Sequence, residues 1–392
     1  MNGTPAIDNL MTSIRSAVLT PGKLALILVA MVLAGCGRAQ ASVSVTAIAV
    51  APSSTLTPSA TVTATATPTV TPTPTITLTP SPTPFPIGQE LTIDWLRSQE
   101  IVGSEITFEQ TLANGPNYYQ YIASYLSEGN RIYGLLTIPF GAVPEGGFKA
   151  IVFNHGYIPP NSYRTTERYT AYVDSLARAG FVVFKIDMRG HGNSEGVATG
   201  SYFSPGYTID AISALKSLQT LEYVDPQGIG MWGHSMAGNL ILRAMLLEPD
   251  IQAGVIWAGA VYSYVDFATY SISDPSFRPQ PTPTGGPTGT ETPIRRSRQF
   301  FELYGEPSLE SDFWQAVSLT ANLAYLNAPL QIHHAVDDDV VNIGYSRDLA
   351  AVLLSAGKLY EFYTYEGGGH NIISPFFGLA MQRTIQFFRE HL

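Results

Sequence analysis

Two serines in the chain lie in patterns typical of a nucleophilic serine. GHSMAG at 233–238 departs from GxSxG at Ala237, whereas GNSEG at 192–196 matches it. Such a nucleophile sits on a sharp strand-to-helix turn, where the helix that follows presents backbone N–H groups to a developing oxyanion. Ser235 lies between an apolar segment, IGMWG, and a segment with helical periodicity, NLILRAMLL, whereas Ser194 lies in a long glycine-rich loop. The sequence therefore predicts that Ser235 is the nucleophile.

Downstream residues are candidates to activate that serine. A serine hydroxyl is a poor nucleophile until a base removes its proton, and histidine has a suitable pKa near neutrality. A carboxylate then fixes the imidazole tautomer and stabilises the imidazolium. His370 follows three glycines after the last predicted strand, and Asp338 follows an earlier strand. Asp337 and Asp339 flank Asp338, so a shift of one residue in this loop would change which carboxylate faces the histidine.

Strand and helix patterns alternate through the second half of the chain and would position these residues. Continuous apolar segments at 149–156 and 181–190 are typical of strands buried on both faces of a sheet. Three earlier segments, at 106–113, 118–126 and 131–139, predict a β-meander. Further strands are expected at 229–233, 253–259, 329–336 and 358–365, and helices at about 164–179, 207–219, 236–247, 345–356 and 375–391. Parallel strands covered by helices place a site at their carboxyl ends.

Five short motifs occur in a fixed order along this region. They are HGY at 155–157, DMRGHGNSEG at 187–196, GHSMAG at 233–238, HHAVDDDVV at 333–341 and GGGH at 367–370. In this order they resemble the oxyanion segment, the loop after the fourth strand, the nucleophile elbow, the acid segment and the histidine loop of the α/β hydrolases. The resemblance covers residues 104–392 and is greatest to the prolyl oligopeptidase and dienelactone hydrolase branches.

The resemblance implies an α/β hydrolase fold, with a mostly parallel sheet of eight strands, helices on both faces and a small cap insertion. It implies a catalytic triad of Ser235, Asp338 and His370, and an oxyanion hole formed by the backbones of Tyr157 and Met236. It also assigns Ser194 to a structural loop. The expected reaction is cleavage of a small ester or peptide substrate through an acyl-enzyme, with no cofactor.

Substrate class is left open by the sequence. Prolyl oligopeptidase relatives often carry a β-propeller, and residues 87–130 are too few for one, so the resemblance does not decide between a peptidase and a carboxylesterase. A non-catalytic ligand-binding protein is a third reading, and it rests only on Ala237. A metal site is not expected, because His333 and His334 are consecutive at a strand end and point to opposite faces.

A cap is expected over the site at about 260–325, containing a Pro/Thr-rich insertion at 275–293. Aromatic residues of the cap could line an apolar acyl or aromatic pocket, or could form the core of the cap itself. The candidates are Tyr262, Tyr264, Phe267 and Trp314.

The N-terminal part of the chain has the composition of a targeting segment. An apolar run at 24–34 is too short to span a bilayer and ends in LAGC, which resembles a bacterial lipoprotein signal with Cys36 as the lipidated residue. Cys36 is the only cysteine of the 392 residues. We therefore expect a signal peptide at 1–35 and a lipid-anchored, extracytoplasmic protein of the bacterial cell envelope.

A Thr/Pro-rich segment follows the cysteine. Its composition predicts a disordered tether at 36–90, ahead of a catalytic domain at 91–392. The formal net charge is −10, which would repel phosphate backbones, so nucleic acid is not an expected partner. Nothing in the sequence predicts the oligomeric state.

Overall fold

The computed structural model describes residues 85–270, 272 and 293–392. The signal peptide, Cys36, most of the tether and nearly all of the Pro/Thr-rich insertion lie outside the described residues. The strands are β1 Thr107–Thr111, β2 Tyr118–Ser127, β3 Asn130–Pro139, β4 Phe148–Asn154, β5 Val182–Ile186, β6 Val224–His234, β7 Gly254–Trp257, β8 Leu330–Ala335 and β9 Tyr360–Tyr365. The helices are α1 Ile93–Arg97, α2 Thr170–Arg178, α3 Gly206–Leu218, α4 Ala237–Leu247, α5 Tyr264–Tyr270, α6 Pro293–Tyr304, α7 Asp312–Val317, α8 Gly344–Ser355 and α9 Phe377–His391.

The strands form one mostly parallel sheet in the order β1-β2-β3-β5-β4-β6-β7-β8-β9. The first three strands form the predicted meander, and β3 pairs antiparallel with β5. From β5 to β9 all pairings are parallel. The described sheet thus has nine strands, and the expected number of eight is wrong. The number eight came from the family resemblance, whereas the nine strands correspond to the nine segments expected from the sequence patterns. β1 is a short edge strand whose five residues are all exposed.

Alternation along the central strands separates two hydrophobic layers. In β4, Ala150 and Val152 join the layer beneath α3, α4 and α8, whereas Ile151 and Phe153 join the layer beneath α2 and α9. All four side chains are completely buried. This confirms the prediction of strands covered on both faces, and it fixes the carboxyl ends of β4 to β9 along one edge of the sheet.

The helix predicted at 164–179 is the largest local difference. The structure begins α2 at Thr170 because Tyr169 has a left-handed φ of 60°. Upstream of it, the hydroxyls of Tyr163 and Thr165 both donate to Asp187. These contacts hold the segment as a loop over the end of β5.

The cap consists of α5, α6 and α7, followed by a 3-10 turn at Thr320–Tyr325. Its core is an aromatic cluster that includes Phe300 and Phe313, and Phe85 and Ile87 pack against this cluster. Folded contacts therefore begin ahead of the expected domain start at residue 91. Within the ranges that the structure describes, no helix is both long and apolar enough to span a bilayer.

Candidate active site

Ser235 occupies the turn between β6 and α4. Its φ is 57°, a left-handed conformation that costs free energy for any residue with a side chain. Two backbone hydrogen bonds hold the turn: Ser235 N donates to Trp257 O at 2.9 Å, and Gly238 N donates to Ser235 O at 2.8 Å. The sharp strand-to-helix turn predicted from the flanking residues is therefore present.

Glycines allow the backbone to approach closely around this turn. A Cβ on Gly238 would lie 2.7 Å from Gly259 Cα, so the start of α4 packs directly against the segment after β7. A Cβ on Gly233 would lie 2.9 Å from the Cβ of Ala237. The methyl group at the position where the motif departs from GxSxG is thus accommodated by the glycine at the start of the motif.

The Asp338 carboxylate has four hydrogen-bond donors around it. Oδ1 accepts from the backbone N–H groups of Val340 and Val341, both at 2.9 Å. Oδ2 lies 2.8 Å from Nδ1 of His370 and 3.2 Å from Nε2 of His334. The structure therefore selects Asp338, rather than Asp337 or Asp339, as the carboxylate that faces His370.

These contacts determine the charge of the carboxyl group. Burial by itself would raise the pKa of Asp338, but hydrogen bonds from His334 and His370, together with the charge of His370, hold it well below its usual range. Asp338 is therefore ionised at neutral pH and can orient the imidazole of His370 through Nδ1. This leaves Nε2 of His370 for proton exchange, and 14% of that side chain is exposed.

The histidine loop lies directly beside the elbow. His234, the residue before Ser235, places its Nε2 2.8 Å from the backbone oxygen of His370. The two imidazole rings are 4.5 Å apart between centroids. The His370–Asp338 pair thus lies beside the elbow that carries Ser235, at the carboxyl ends of β6, β8 and β9.

The expected oxyanion segment lies against the nucleophile. A Cβ on Gly156 would come within 3.1 Å of Ser235 Cβ, so Tyr157 follows a backbone position in contact with the elbow. Met236 is the N-cap of α4 and has helical dihedral angles, φ −47° and ψ −36°. The first N–H groups of a helix have no partner within it, and the helix dipole favours negative charge there.

Ser194 has a structural role at the end of β5. Its hydroxyl donates to the backbone oxygen of Asp187 and accepts from the backbone N–H of Tyr133 at 2.9 Å. The hydroxyl thus uses both its donor and its acceptor capacity to join the loop to neighbouring strands. Ser194, the serine in the better match to GxSxG, therefore stabilises the loop after β5.

Three of the four predicted pocket aromatics are buried in packing contacts. Tyr262, Tyr264 and Trp314 expose only 1 to 3% of their surface. Tyr264 and Trp314 belong to the core of the cap, and Tyr262 packs in the main core. Phe267 is partly buried against the main core. The structure thus favours core packing for the three buried residues over the pocket reading.

The two consecutive histidines point to opposite sides of β8, as predicted. His333 contacts the hydroxyl of Tyr365 at 2.7 Å, whereas His334 contacts the hydroxyl of Ser346 at 2.7 Å. Among the described residues no cluster of histidine, cysteine and carboxylate side chains could hold a metal ion. No sequence pattern predicts the contact of His334 with Asp338, because the two residues approach only after the loop turns back.

Two family models match parts of the chain. Residues 148–272 match the model described as "Serine aminopeptidase, S33", and residues 211–392 match "BAAT / Acyl-CoA thioester hydrolase C terminal". Together the matches span every strand from β4 onward.

Similar sequences include proteins with and without a described activity. An uncharacterized 31.7 kDa protein of Escherichia coli is 31% identical over 112 residues, which cover 28% of this chain and 37% of that protein. A probable dipeptidyl-aminopeptidase B of Aspergillus oryzae is 23% identical over 305 residues, which cover 72% of this chain and 33% of that protein. The chain thus spans about a third of the length of the curated relatives that it matches.

Solved structures share the fold at low sequence identity. Acetyl xylan esterase from a Paenibacillus species is 18% identical with a TM-score of 0.54, over 76% of this chain and 92% of that one. Acylaminoacyl peptidase of Pyrococcus horikoshii is 18% identical with a TM-score of 0.50, over 70% of this chain and 42% of that one. The sheet, the motif order and these similarities show that the chain has the α/β hydrolase fold, with a folded domain that resembles those of the prolyl oligopeptidase and dienelactone hydrolase branches.

Proposed function

We propose that the chain is a serine hydrolase that cleaves an ester or amide bond through an acyl-enzyme. The observation that carries the proposal is the hydrogen bond of 2.8 Å between Asp338 Oδ2 and His370 Nδ1, beside an elbow with Ser235 at a left-handed φ. In this mechanism His370 Nε2 takes the proton of Ser235 as its oxygen attacks the acyl carbon. The same nitrogen then returns the proton to the leaving alcohol or amine.

The tetrahedral intermediate carries a negative charge on the former carbonyl oxygen. We assign its stabilisation to the backbone N–H groups of Tyr157 and Met236, because the first follows the segment against Ser235 and the second lies at the start of α4. Loss of one such donor typically costs about 3 kcal/mol of transition-state stabilisation. Water then hydrolyses the acyl-enzyme with His370 as the base.

We prefer the catalytic reading of the fold to the non-catalytic one. That reading rested on Ala237, and the structure places its methyl group against a glycine without displacing the turn. The hydrogen bond between Asp338 and His370, and the contact of the His370 loop with the residue before Ser235, support the catalytic reading.

A fluorophosphonate probe tests the nucleophile. The probe phosphonylates activated serines, so we expect stoichiometric labelling of the wild-type protein and none of Ser235→Ala. The matched control is Ser194→Ala, which retains the elbow and should label fully. Equal labelling of Ser235→Ala and the wild type would refute the proposed nucleophile.

The substrate class is proposed as small acyl esters or short peptides. The acetyl xylan esterase and the acylaminoacyl peptidase that share the fold act on these two classes by name. The deciding experiment compares p-nitrophenyl esters of graded acyl length with aminoacyl and prolyl p-nitroanilides, each against Ser235→Ala. Turnover of the anilides alone would make the protein a peptidase, and turnover of the esters alone would make it a carboxylesterase.

We also propose that the mature protein is a lipoprotein anchored through Cys36 on the extracytoplasmic side of a bacterial membrane. The support is the LAGC sequence at the end of a short apolar run and the use of cysteine at that position alone. Acyl chains on this residue would give stable membrane attachment. Cys36→Ser should release the protein from the membrane fraction, and full retention of that variant would contradict the proposal.

A further inference from the structure

Three segments of the candidate site meet at the hydroxyl of Tyr169 and the imidazole of His234. The backbone N–H of Gly156 donates to Tyr169 Oη at 2.9 Å. Tyr169 Oη lies 2.8 Å from His234 Nδ1, and His234 Nε2 lies 2.8 Å from the backbone oxygen of His370. The three contacts join the oxyanion segment, the elbow and the histidine loop.

The chemistry of the groups in each contact decides which group donates and which accepts. A backbone oxygen can only accept, so the contact to His370 requires a proton on His234 Nε2. Burial, and then the charge of His370, lower the pKa of His234 to about 3, so its ring is neutral and Nδ1 must accept. Tyr169 therefore donates its hydroxyl proton to His234, and its oxygen remains free to accept from Gly156. All three hydrogen bonds run in one direction along the chain of contacts.

This direction has a consequence for the oxyanion hole. Because Gly156 N–H donates to Tyr169, it is not the oxyanion donor of this segment, and the proposed function assigns that role to the next residue, Tyr157. Tyr169 in turn is held by its place at the start of α2. One turn along that helix, the hydroxyl of Tyr172 donates to Asn371 O at 2.7 Å, so α2 contacts the histidine loop a second time.

We propose that Tyr169 and His234 are positioning residues that set the backbone of the oxyanion segment against the backbone of the histidine loop. The inference rests on the proposed function, since it concerns the same serine hydrolysis. Neither side chain touches the reacting atoms. They act by fixing the separation of His370 from the oxyanion donor that follows Gly156, and this separation matters most when charge develops in the transition state.

The test measures kcat and KM of the full-length protein in detergent, with the p-nitrophenyl ester that the wild type hydrolyses fastest. Tyr169→Phe removes one hydroxyl and should lower kcat about tenfold with KM within about twofold. His234→Leu removes both nitrogens and should lower kcat further. His234→Gln keeps an amide donor for His370 O and should recover part of that loss. The matched control is Tyr118→Phe, which removes a hydroxyl that donates to Asp174 of α2 at 2.8 Å, outside the chain of contacts through Tyr169 and His234, and should leave kcat within about twofold.

A double variant separates positioning from general destabilisation. Because Tyr169→Phe and His234→Leu interrupt one chain of hydrogen bonds, their combination should be no slower than His234→Leu alone. Multiplicative losses in the double variant, or a wild-type kcat in Tyr169→Phe, would overturn the inference. If His234→Leu does not fold, the kcat of Tyr169→Phe compared with that of Tyr118→Phe decides the question. If Ser235→Ala is inactive but Tyr169→Phe and His234→Leu keep the wild-type kcat, this inference is refuted and the proposed function is not. If Ser235→Ala is active, the proposed function itself is refuted.

Discussion

The methyl group of Ala237 occupies space that a side chain on Gly233 would need. A Cβ at position 233 would lie 2.9 Å from Ala237 Cβ and 2.5 Å from Ile241 Cδ1. Ala237 is completely buried at the first position of α4. The two positions are therefore coupled, and alanine is compatible with the elbow because Gly233, the residue before the last one of β6, has no side chain.

The coupling predicts a partial rescue. Gly233→Ala should lower the free energy of unfolding by about 1–3 kcal/mol through overpacking. Adding Ala237→Gly removes the contact with the Cβ of residue 237 and leaves the flexible end of Ile241 and the backbone oxygen of residue 237 at 3.2 Å, so the double variant should recover part of that loss. Urea unfolding measures all three proteins. A double variant that is no more stable than Gly233→Ala would show that the two positions are independent.

Asp338 should be the carboxylate on which turnover depends. Asp338→Asn keeps the shape of the side chain but offers its amide to His370, and loss of the orienting acid in such triads lowers kcat by about 10⁴-fold. Asp337 accepts from Gly369 N at 2.8 Å in the histidine loop, so Asp337→Asn should cause a loss of about tenfold or less. The exposed Asp339 provides the control, since Asp339→Asn should leave kcat unchanged. A larger loss in Asp337→Asn than in Asp338→Asn would reassign the acid.

Ser194 should contribute to stability and not to chemistry. Ser194→Ala leaves the N–H of Tyr133 and the backbone oxygen of Asp187 without a partner in a buried position, which costs about 1–3 kcal/mol. We expect a lower midpoint of thermal unfolding together with unchanged fluorophosphonate labelling below that midpoint. Loss of labelling in the folded variant would contradict the structural role.

The sequence was sufficient to predict a sheet covered by helices on both faces and the strand-to-helix turn at Ser235. Uninterrupted apolar strands have one physical explanation, burial on both faces, and the strand before Ser235 and the helix after it distinguish that serine from Ser194. The cap aromatics could not be placed in this way, because an aromatic side chain fills a core and lines a pocket equally well. Trp314 is buried among rings that include Phe85, which lies far away in the sequence.

The Tyr169 network could not be predicted for a related reason. Helical periodicity extended the predicted helix through 164–179, which would have placed Tyr169 inside a helix and not at its left-handed start. Its partners, Gly156 and His234, come from two different strand ends. Hydrogen bonds between the ends of different strands depend on tertiary packing, so no local sequence pattern predicts them.

Asp187 should make stability depend on pH in a defined direction. The residue is completely buried, and burial raises its pKa to about 6, although hydrogen bonds from Thr165 and Tyr163 and the charge of Lys185 oppose the rise. In the unfolded chain the pKa of an aspartate is about 3.9. Between these values the folded protein holds a proton that the unfolded chain has lost, so the free energy of unfolding falls as pH rises through this window, by up to about 3 kcal/mol.

Asp187→Asn isolates this effect, since its amide is neutral at every pH. Urea unfolding at pH 4, 5 and 6 should show the wild type losing stability relative to the variant as pH rises, because all other titrating groups cancel in the difference. The loss should be largely complete above about pH 6, where the folded carboxyl is ionised as well. Parallel curves for the two proteins between pH 4 and 6 would mean that Asp187 is ionised throughout, with the hydroxyls of Tyr163 and Thr165 outweighing its burial.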